Sequence, residues 1–209
     1  MSTDSHKANR RAPLARLPRD ERRVQLLSAA LEVFAANGYH GAAMDEIAEA
    51  AQVSKPVLYQ HFSSKRELYL ALLDSHLSAL TARLLDALSS TTDNKQRVRA
   101  TMKAYFEFMA ADDQAHRLVF ESDLVNDPQV ASRLELFNAS YADAIAEVIA
   151  EDTKLPHVEA VLLGRALAGM AQVSARYWLE ANGNLDLNVA SDLIYRLAWR
   201  GISRFPKES

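Results

Sequence analysis

The sequence predicts an all-α protein with about nine helices. It contains only six glycines and six prolines in 209 residues, too few for a turn-rich β architecture. Apolar residues recur every three or four positions along most of the chain, as on one face of a helix, and no segment alternates as a half-buried strand does. We expect a disordered basic arm over residues 1–17, a head over 18–66 and a larger body over 67–209.

The first helix is predicted to begin at Arg19 and to end at Asn37-Gly38, a pair that suits the left-handed backbone of a helix terminus. A second, short helix is expected over Met44–Ala51. The apolar stripe of the first helix is expected to consist of Val24, Leu27, Leu31 and Phe34.

A third helix is expected after Ser54, a favourable N-cap, with Pro56 in the first turn, where its missing N–H costs nothing. Ser64 and Glu67 have the spacing of a capping box and open a long fourth helix to about Leu88. Polar breaks divide the rest of the chain into five further helices, expected at about 96–110, 117–121, 128–150, 156–180 and, after 182–184, to about 201.

The second and third helices form the pattern of a helix-turn-helix, in which two short helices flank a turn of three residues. In that motif the second helix enters the major groove of DNA. The helix over Lys55–His61 suits this role, because Lys55 can reach a guanine edge or a phosphate and Tyr59 can hydrogen-bond a phosphate. The alternative is a well-capped helix in a bundle with no DNA to bind.

The head resembles the DNA-binding domain of the TetR family of bacterial regulators over residues 23–72, above all in the segment GYHGAAMDEIAEAAQVSKPVLYQHFSSKRELYLALL. The resemblance implies a homodimer that binds a pseudo-palindromic double-stranded operator and carries a C-terminal domain for ligand binding and dimerisation. Family members usually have glycine at the position of Gln52 and often threonine at Ala42 and Ala43. The DNA contacts expected from the resemblance and from the exposed face of the third helix are Ala43, Met44, Ser54, Lys55, Pro56, Val57, Tyr59, Gln60, His61 and Lys65.

The helix over 158–180 is apolar on almost every side, so we expect one face to pack inward and the other to pack against a partner subunit. The resemblance implies that the last helix joins it in a four-helix dimer interface. Small residues that permit close approach are Gly164, Ala168, Gly169, Ala171 and Ala175, and the last helix contributes Leu193, Ile194, Leu197, Ala198 and Trp199.

The body contains large apolar side chains that either fill a core, the commoner case, or line a ligand pocket. The segments RLPRDERR, STTDNKQR, RLVFESDLV and ARYWL resemble actinobacterial TetR-type regulators of fatty-acid synthesis, which implies a long-chain fatty acyl-CoA as effector. The other interpretation is a TetR-type repressor of an efflux or catabolic gene that responds to another hydrophobic small molecule. The candidate pocket residues are Met102, Phe106, Phe120, Leu124, Phe137, Tyr141, Met170, Tyr177 and Trp178.

A row of three basic residues could meet the phosphates of such an effector, although a solvated helix face is the interpretation we favour. The row consists of Lys95, Arg99 and Lys103. The net charge of −3 combines +3 over residues 1–66 with −6 over the remainder, as expected for a DNA-binding head on a body with another task. A purely architectural DNA-binding protein would have no use for about 140 residues of acidic body.

Other functional classes lack their motifs. The absence of cysteine excludes disulfides and thiolate chemistry and fits a cytoplasmic protein. The six histidines lack metal-ligand spacing, and we find no glycine-rich phosphate loop, GxSxG or HExxH motif. We therefore expect no enzyme activity, no metal and no cofactor, and the apolar runs are too short for a membrane span.

Overall fold

The computed structural model describes residues 17–111, 124, 126–181 and 184–201, and within these ranges it contains eight α-helices and no strand. The predicted all-α class is confirmed, and the number of helices is close to the expected nine. The short helix expected at 117–121 lies outside the described residues. The helices are α1 (Arg19–Gly41), α2 (Met44–Ala50), α3 (Lys55–His61), α4 (Lys65–Ser89), α5 (Asn94–Ala111), α6 (Pro128–Thr153), α7 (His157–Glu180) and α8 (Leu187–Arg200).

The buried face of α1 differs from the predicted stripe. This face consists of Leu26, Ala29, Ala30 and Phe34, at positions i, i+3, i+4 and i+8. Val24 was expected on it but is 67% exposed, so that part of the prediction is wrong. Ala29 and Ala30 form the middle of this buried face, and the prediction missed them because it considered only large apolar residues.

Helix α1 is interrupted at Gly38, as the sequence predicts. Its φ of 68° and ψ of 171° lie in a region that glycine reaches readily and other residues do not. A further helical turn follows to Gly41, and the backbone N–H of Ala42 donates to the Gly38 carbonyl at 3.2 Å. The glycine therefore redirects the chain towards α2.

The predicted N-caps are only partly realised. The Ser64 hydroxyl accepts a hydrogen bond from the Glu67 backbone N–H at 3.1 Å, as in a capping box. The Glu67 carboxylate instead accepts from the backbone N–H of Ser63 at 2.7 Å and from the Ser63 hydroxyl at 2.5 Å. These bonds lower the pKa of Glu67. Ser54 occupies the N-cap position of α3, but its side chain makes no capping bond.

Helix α4 runs without a break from the head into the body. It contacts α1 in the head and then α5 and α6 in the body. The boundary expected at residues 66 and 67 falls in its first turn, so a single rigid helix crosses it.

Two ion pairs hold α4 to α6. The Arg66 guanidinium binds both carboxylate oxygens of Asp127, with Nη2 at 2.8 and 2.9 Å. Asp127 also caps α6, accepting from the Gln129 backbone N–H at 2.8 Å. The bond from Arg66 is the main cause of the lowered pKa of Asp127. About two turns further along each helix, Arg133 Nε donates to Asp74 at 2.7 Å.

Helices α6 and α7 approach closely through small side chains. A Cβ added to Gly164 would overlap the carbonyl oxygen of Ala142 and lie 3.2 Å from the backbone nitrogen of Ala146. The small residues of α7 that face inward are Ala160, Gly164, Ala168, Ala171 and Ala175. These residues therefore serve packing within one subunit, whereas a Cβ on Gly169 would meet nothing within 4 Å.

The opposite face of α7 is apolar and exposed. Val158, Leu162, Val173 and Tyr177 are 75, 69, 60 and 72% exposed, and their spacing places them on one side of the helix. By length and composition α7 could also cross a membrane, with a mean hydropathy of 1.2. Core helices of soluble proteins meet the same criterion, and the inward face of α7 packs on α6.

Candidate nucleic-acid interface and interior cavities

The turn between α2 and α3 depends on a left-handed residue. Gln52 has a φ of 54°, the conformation that glycine usually supplies, and this costs a non-glycine residue about 1 kcal/mol. The next residue, Val53, is half-buried, and its N–H donates to the Ala48 carbonyl at 2.9 Å. Beneath the turn, Ile47 and Leu58 are fully buried. The two helices are thus fixed against each other with α3 outermost.

Helix α3 spans Lys55–His61, as the sequence predicts, and presents its polar side chains to solvent. Tyr59 is 46% exposed. Val57 and His61 are half-buried at the edge of the face. Of the ten predicted contact residues, those that are exposed are Ala43, Ser54, Lys55, Pro56, Tyr59 and Gln60.

Two of the predicted DNA contacts, Met44 and Lys65, are engaged within the protein. The Met44 side chain is only 8% exposed, so from this residue only the backbone can face a ligand. The Lys65 ammonium donates to the carbonyls of Tyr39 and Ala42, each at 2.8 Å, and lies 4.7 Å from the Tyr39 ring. Lys65 thus closes the end of α1, and a phosphate contact would compete with these bonds.

The start of α2 lacks the threonines of the resembling family but has a partial substitute. The Glu46 carboxylate accepts from the Ala43 backbone N–H at 3.0 Å, which is one half of a capping box. Alanine has no side-chain oxygen to complete the other half.

Asp45 is a residue of this face that the sequence reasoning missed. Its carboxylate lies 2.5 Å from the Lys55 ammonium, and both side chains are more than half exposed. An exposed ion pair of this kind contributes little to stability. Lys55 can therefore leave Asp45 and bind DNA at little cost. A carboxylate at this position can accept a hydrogen bond from the amino group of cytosine. It also repels phosphate groups, so it disfavours orientations of the DNA that bring the backbone close to Asp45. The position of Asp45 in the first turn of α2, next to the predicted contacts Ala43 and Met44, could have indicated that it lies on this face.

A largely apolar cavity of about 510 Å³ lies among the end of α4 and helices α5 to α8. It is lined by three of the predicted pocket residues, Met102, Tyr141 and Met170. Apolar lining residues that the sequence reasoning did not name include Leu88, Val98, Ile145, Leu163 and Leu167. Leu197, Ala198 and Trp199, which were expected at the dimer interface, also line it. Its volume is within the range of about 300–1,000 Å³ typical of small-molecule sites.

The same cavity has a polar group of side chains on its wall. The Arg97 guanidinium donates from Nε to the Thr91 carbonyl at 2.6 Å and from Nη1 to Asn94 at 3.0 Å. Its Nη1 also lies 3.6 Å from the carboxylate of Asp152, with which Asn94 is hydrogen-bonded. The Arg97 side chain is 18% exposed, so the apolar cavity has a half-buried arginine–aspartate pair on its wall.

A second cavity of about 460 Å³ opens between α7 and α8. Phe106, Tyr177 and Trp178 line it, and the rings of Phe106 and Trp178 are 5.6 Å apart. The predicted pocket residues are thus divided between two cavities.

Two further predicted pocket residues, Phe137 and Leu124, line neither cavity. Phe137 is buried and stacks on Tyr141 at 6.4 Å, while Leu124 is half-buried against the core. Phe120 lies outside the described residues.

The row of basic residues on α5 is mostly paired. Arg99 lies 2.6 Å from Asp192, and Lys103 lies 3.4 Å from Glu107 in an i,i+4 pair. Lys95 is exposed. This arrangement fits the solvated helix face that we favoured.

Tyr105 is an unusual residue of the buried core. Its hydroxyl is buried and has no hydrogen-bond partner among the residues that the structure describes. Burial raises the pKa of Tyr105 far above its ordinary value, and burial does the same for the neighbouring Tyr141.

Comparison with known proteins identifies the architecture. Residues 26–72 match the model of the bacterial regulatory proteins of the tetR family. The chain is 48% identical to the HTH-type transcriptional activator FasR of Mycolicibacterium smegmatis, over 91% of this chain and 87% of that protein.

Two solved structures share the fold. A TetR-like transcriptional regulator from Rhodococcus sp. RHA1 is 27% identical, with a TM-score of 0.72 over 91% of this chain and all of that one. The transcriptional regulator FadR from Bacillus subtilis, in complex with stearoyl-CoA, is 20% identical, with a TM-score of 0.71 over 86% of this chain and 98% of that one. The relatives are regulators and not enzymes. The chain belongs to the TetR family of bacterial transcriptional regulators.

Proposed function

We propose that this transcriptional regulator binds a pseudo-palindromic operator in the cytoplasm through α3 and releases or reshapes that contact when a long-chain fatty acyl-CoA enters the body. The head over 18–66 and the body over 67–209 carry these two tasks. The observation that supports DNA reading most strongly is the exposed polar face of α3, held rigid by the buried residues beneath it.

Reading by α3 can be tested on an operator selected from random duplex DNA. Lys55→Ala should weaken binding by about 1–3 kcal/mol and relax specificity at one position of each half-site. Lys95→Ala, at an exposed lysine of the body, removes the same charge and should leave affinity and specificity unchanged. Unchanged operator affinity for both Lys55→Ala and Tyr59→Ala would show that α3 is not the recognition helix.

The exposed apolar face of α7 supports homodimerisation. Covering it with a second copy removes four large side chains from water. A dimer that reads two half-sites needs its recognition helices about 34–36 Å apart, one turn of DNA. Leu162→Glu should yield a monomer by sedimentation, with loss of tight operator binding. The matched control is Leu136→Glu, because Leu136 is similarly exposed at 66% but lies on α6. A Leu162→Glu protein that remains dimeric would place the interface elsewhere.

The effector proposal rests on the 510 Å³ cavity and on the resemblance to regulators of fatty-acid synthesis. The stearoyl-CoA complex of FadR, which shares the fold, is consistent with an acyl chain in such a body. Fatty-acid and lipid synthesis genes are therefore the proposed targets. The alternative, control of an efflux or catabolic gene by another hydrophobic molecule, uses the same cavity.

The cavity can be tested by narrowing it. Ala198 lines it, so Ala198→Leu should weaken binding of the longest acyl-CoAs in calorimetry. Because Ala198 was also expected at the dimer interface, sedimentation must first show that the variant is a dimer; the ligand-free dimer should then bind operator as before. Ala131→Leu adds the same side chain at an exposed position of α6 and should change neither. Equal acyl-CoA binding by wild type and Ala198→Leu would exclude this cavity as the effector site.

A further inference from the structure

A concave surface lies where the start of α1 meets the end of α3. Arg19 and Arg22 of α1 face Gln60 and His61 of α3 across a depression of about 740 Å³. Leu17, Pro18 and Val57 complete its lining. We name this depression the α1–α3 cleft.

Arg22 is held in place by a chain of hydrogen bonds. Its Nη1 donates to Gln25 Oε1 at 2.6 Å, and Gln25 Nε2 donates to the Ala51 carbonyl at 2.8 Å. Ala51 ends α2, so the guanidinium is tied to the helix-turn-helix itself. These bonds therefore fix the position of Arg22 relative to the helix-turn-helix.

The cleft is positively charged. Arg19, Arg22 and Arg23 lie near His61, and no salt bridge of Arg19 or Arg22 is found among the residues that the structure describes, whereas Arg23 also lies close enough to the Glu67 carboxylate to lower its pKa. Arg23 stacks over Phe62 at 4.5 Å, and the Glu67 carboxylate near it is bound to Ser63. Burial, together with these three cations, keeps the pKa of His61 below its ordinary value. A concave surface lined by two cations, Arg19 and Arg22, attracts an anion.

We propose that the α1–α3 cleft binds a backbone phosphate of the duplex that α3 reads, with Arg19 and Arg22 as its ligands. The proposal rests on DNA binding by α3 and adds residues of α1 to that interface. DNA is favoured over a small anion because Val57 and Gln60 belong to both the cleft and the reading face. In addition, the chain that leads into α1 carries Lys7, Arg10, Arg11 and Arg16, as a segment close to a polyanion would.

A phosphate contact and a base contact are distinguished by their dependence on salt and sequence. Operator affinity should be measured between low and high salt for Arg19→Gln and Arg22→Gln. Because each substitution is present in both subunits of the proposed dimer, each should make the negative slope of log affinity against log salt shallower by about two, one for each subunit. Each should also weaken operator and scrambled duplex by the same factor, because backbone contacts carry no sequence information. Arg165→Gln removes an exposed arginine of the body and should leave the slope as in wild type.

The outcomes separate this inference from the proposed function. A wild-type protein that selects no operator would refute DNA reading itself. If wild type selects an operator but Arg19→Gln and Arg22→Gln keep its salt slope, only the cleft assignment fails. Arg22→Gln removes the bond to Gln25 and with it a tie to the head. The Arg19 side chain has no hydrogen bond to the residues that the structure describes, so Arg19→Gln tests the cleft without that complication. If the slopes are unchanged while inorganic phosphate raises the melting temperature of wild type but not of Arg19→Gln, the occupant is a free anion and the DNA assignment is wrong.

Discussion

Gly164 offers a direct test of the packing within the body. Alanine in place of glycine inside an exposed helix normally stabilises a protein by about 1 kcal/mol. At position 164, however, the new Cβ would overlap the Ala142 carbonyl oxygen and crowd the Ala146 nitrogen, both of which are backbone atoms. Rotation of a side chain cannot relieve such an overlap. The cost should therefore reach the upper part of the overpacking range, about 2–3 kcal/mol.

The net effect of Gly164→Ala is then a loss of about 1–2 kcal/mol, because the gain in helix propensity offsets part of the overpacking. Ala82→Gly, at an exposed position inside α4, measures the propensity effect in the same protein and should cost about 1 kcal/mol. Urea unfolding followed by circular dichroism, at one protein concentration, gives both values. A Gly164→Ala protein that is more stable than wild type would refute the close approach of α6 and α7.

Three further predictions concern single groups. Gln52→Gly should raise the free energy of unfolding by about 1 kcal/mol in denaturant titration, because glycine adopts the φ of 54° without strain; a loss would contradict this account of the turn. Tyr105→Phe should leave stability unchanged or raise it by up to about 1 kcal/mol, since the hydroxyl is buried without a partner; a clear loss would reveal a partner. Asp127 has a lowered pKa in the folded protein, so its contribution is complete above its unfolded pKa and is lost as pH falls through the folded pKa. Asp127→Asn keeps a capping side chain but loses the charge that binds Arg66, so its stability should vary less with pH on the acid side; an unchanged acid profile would refute the linkage.

Most of the fold follows from local rules that the sequence displays. Pro56 at the start of α3 and the Ser64 cap of α4 act within a few residues, so the helix ends they mark were predicted closely. The buried face of α1 was predicted less well because Ala29 and Ala30 give a weak apolar signal. The role of Gly164 depends on the approach of a second helix, which no local pattern describes.

The candidate sites show the same division. Exposure of Tyr59 and Gln60 follows from the period of α3, whereas the engagement of Lys65 by α1 carbonyls requires residues more than 20 positions away. Nothing in the sequence marks Arg19 as a site residue. It becomes part of a charged cleft only because the fold brings the start of α1 near the end of α3. Phe106 was grouped with Met102 because both are apolar and near in sequence, yet they line different cavities.

The central claim joins DNA reading in the head to an acyl chain in the body, and one titration tests both. Acyl-CoAs of increasing chain length are added to a fluorescently labelled operator bound by the wild-type protein, and anisotropy is recorded. Each buried methylene contributes about 0.8 kcal/mol, so the concentration for half-maximal effect should fall about fourfold per carbon until the cavity is full. At saturation, operator affinity should change about 5- to 150-fold. An effect that is independent of chain length, or no effect with any acyl-CoA, would contradict the account and leave a TetR-family regulator with a different effector.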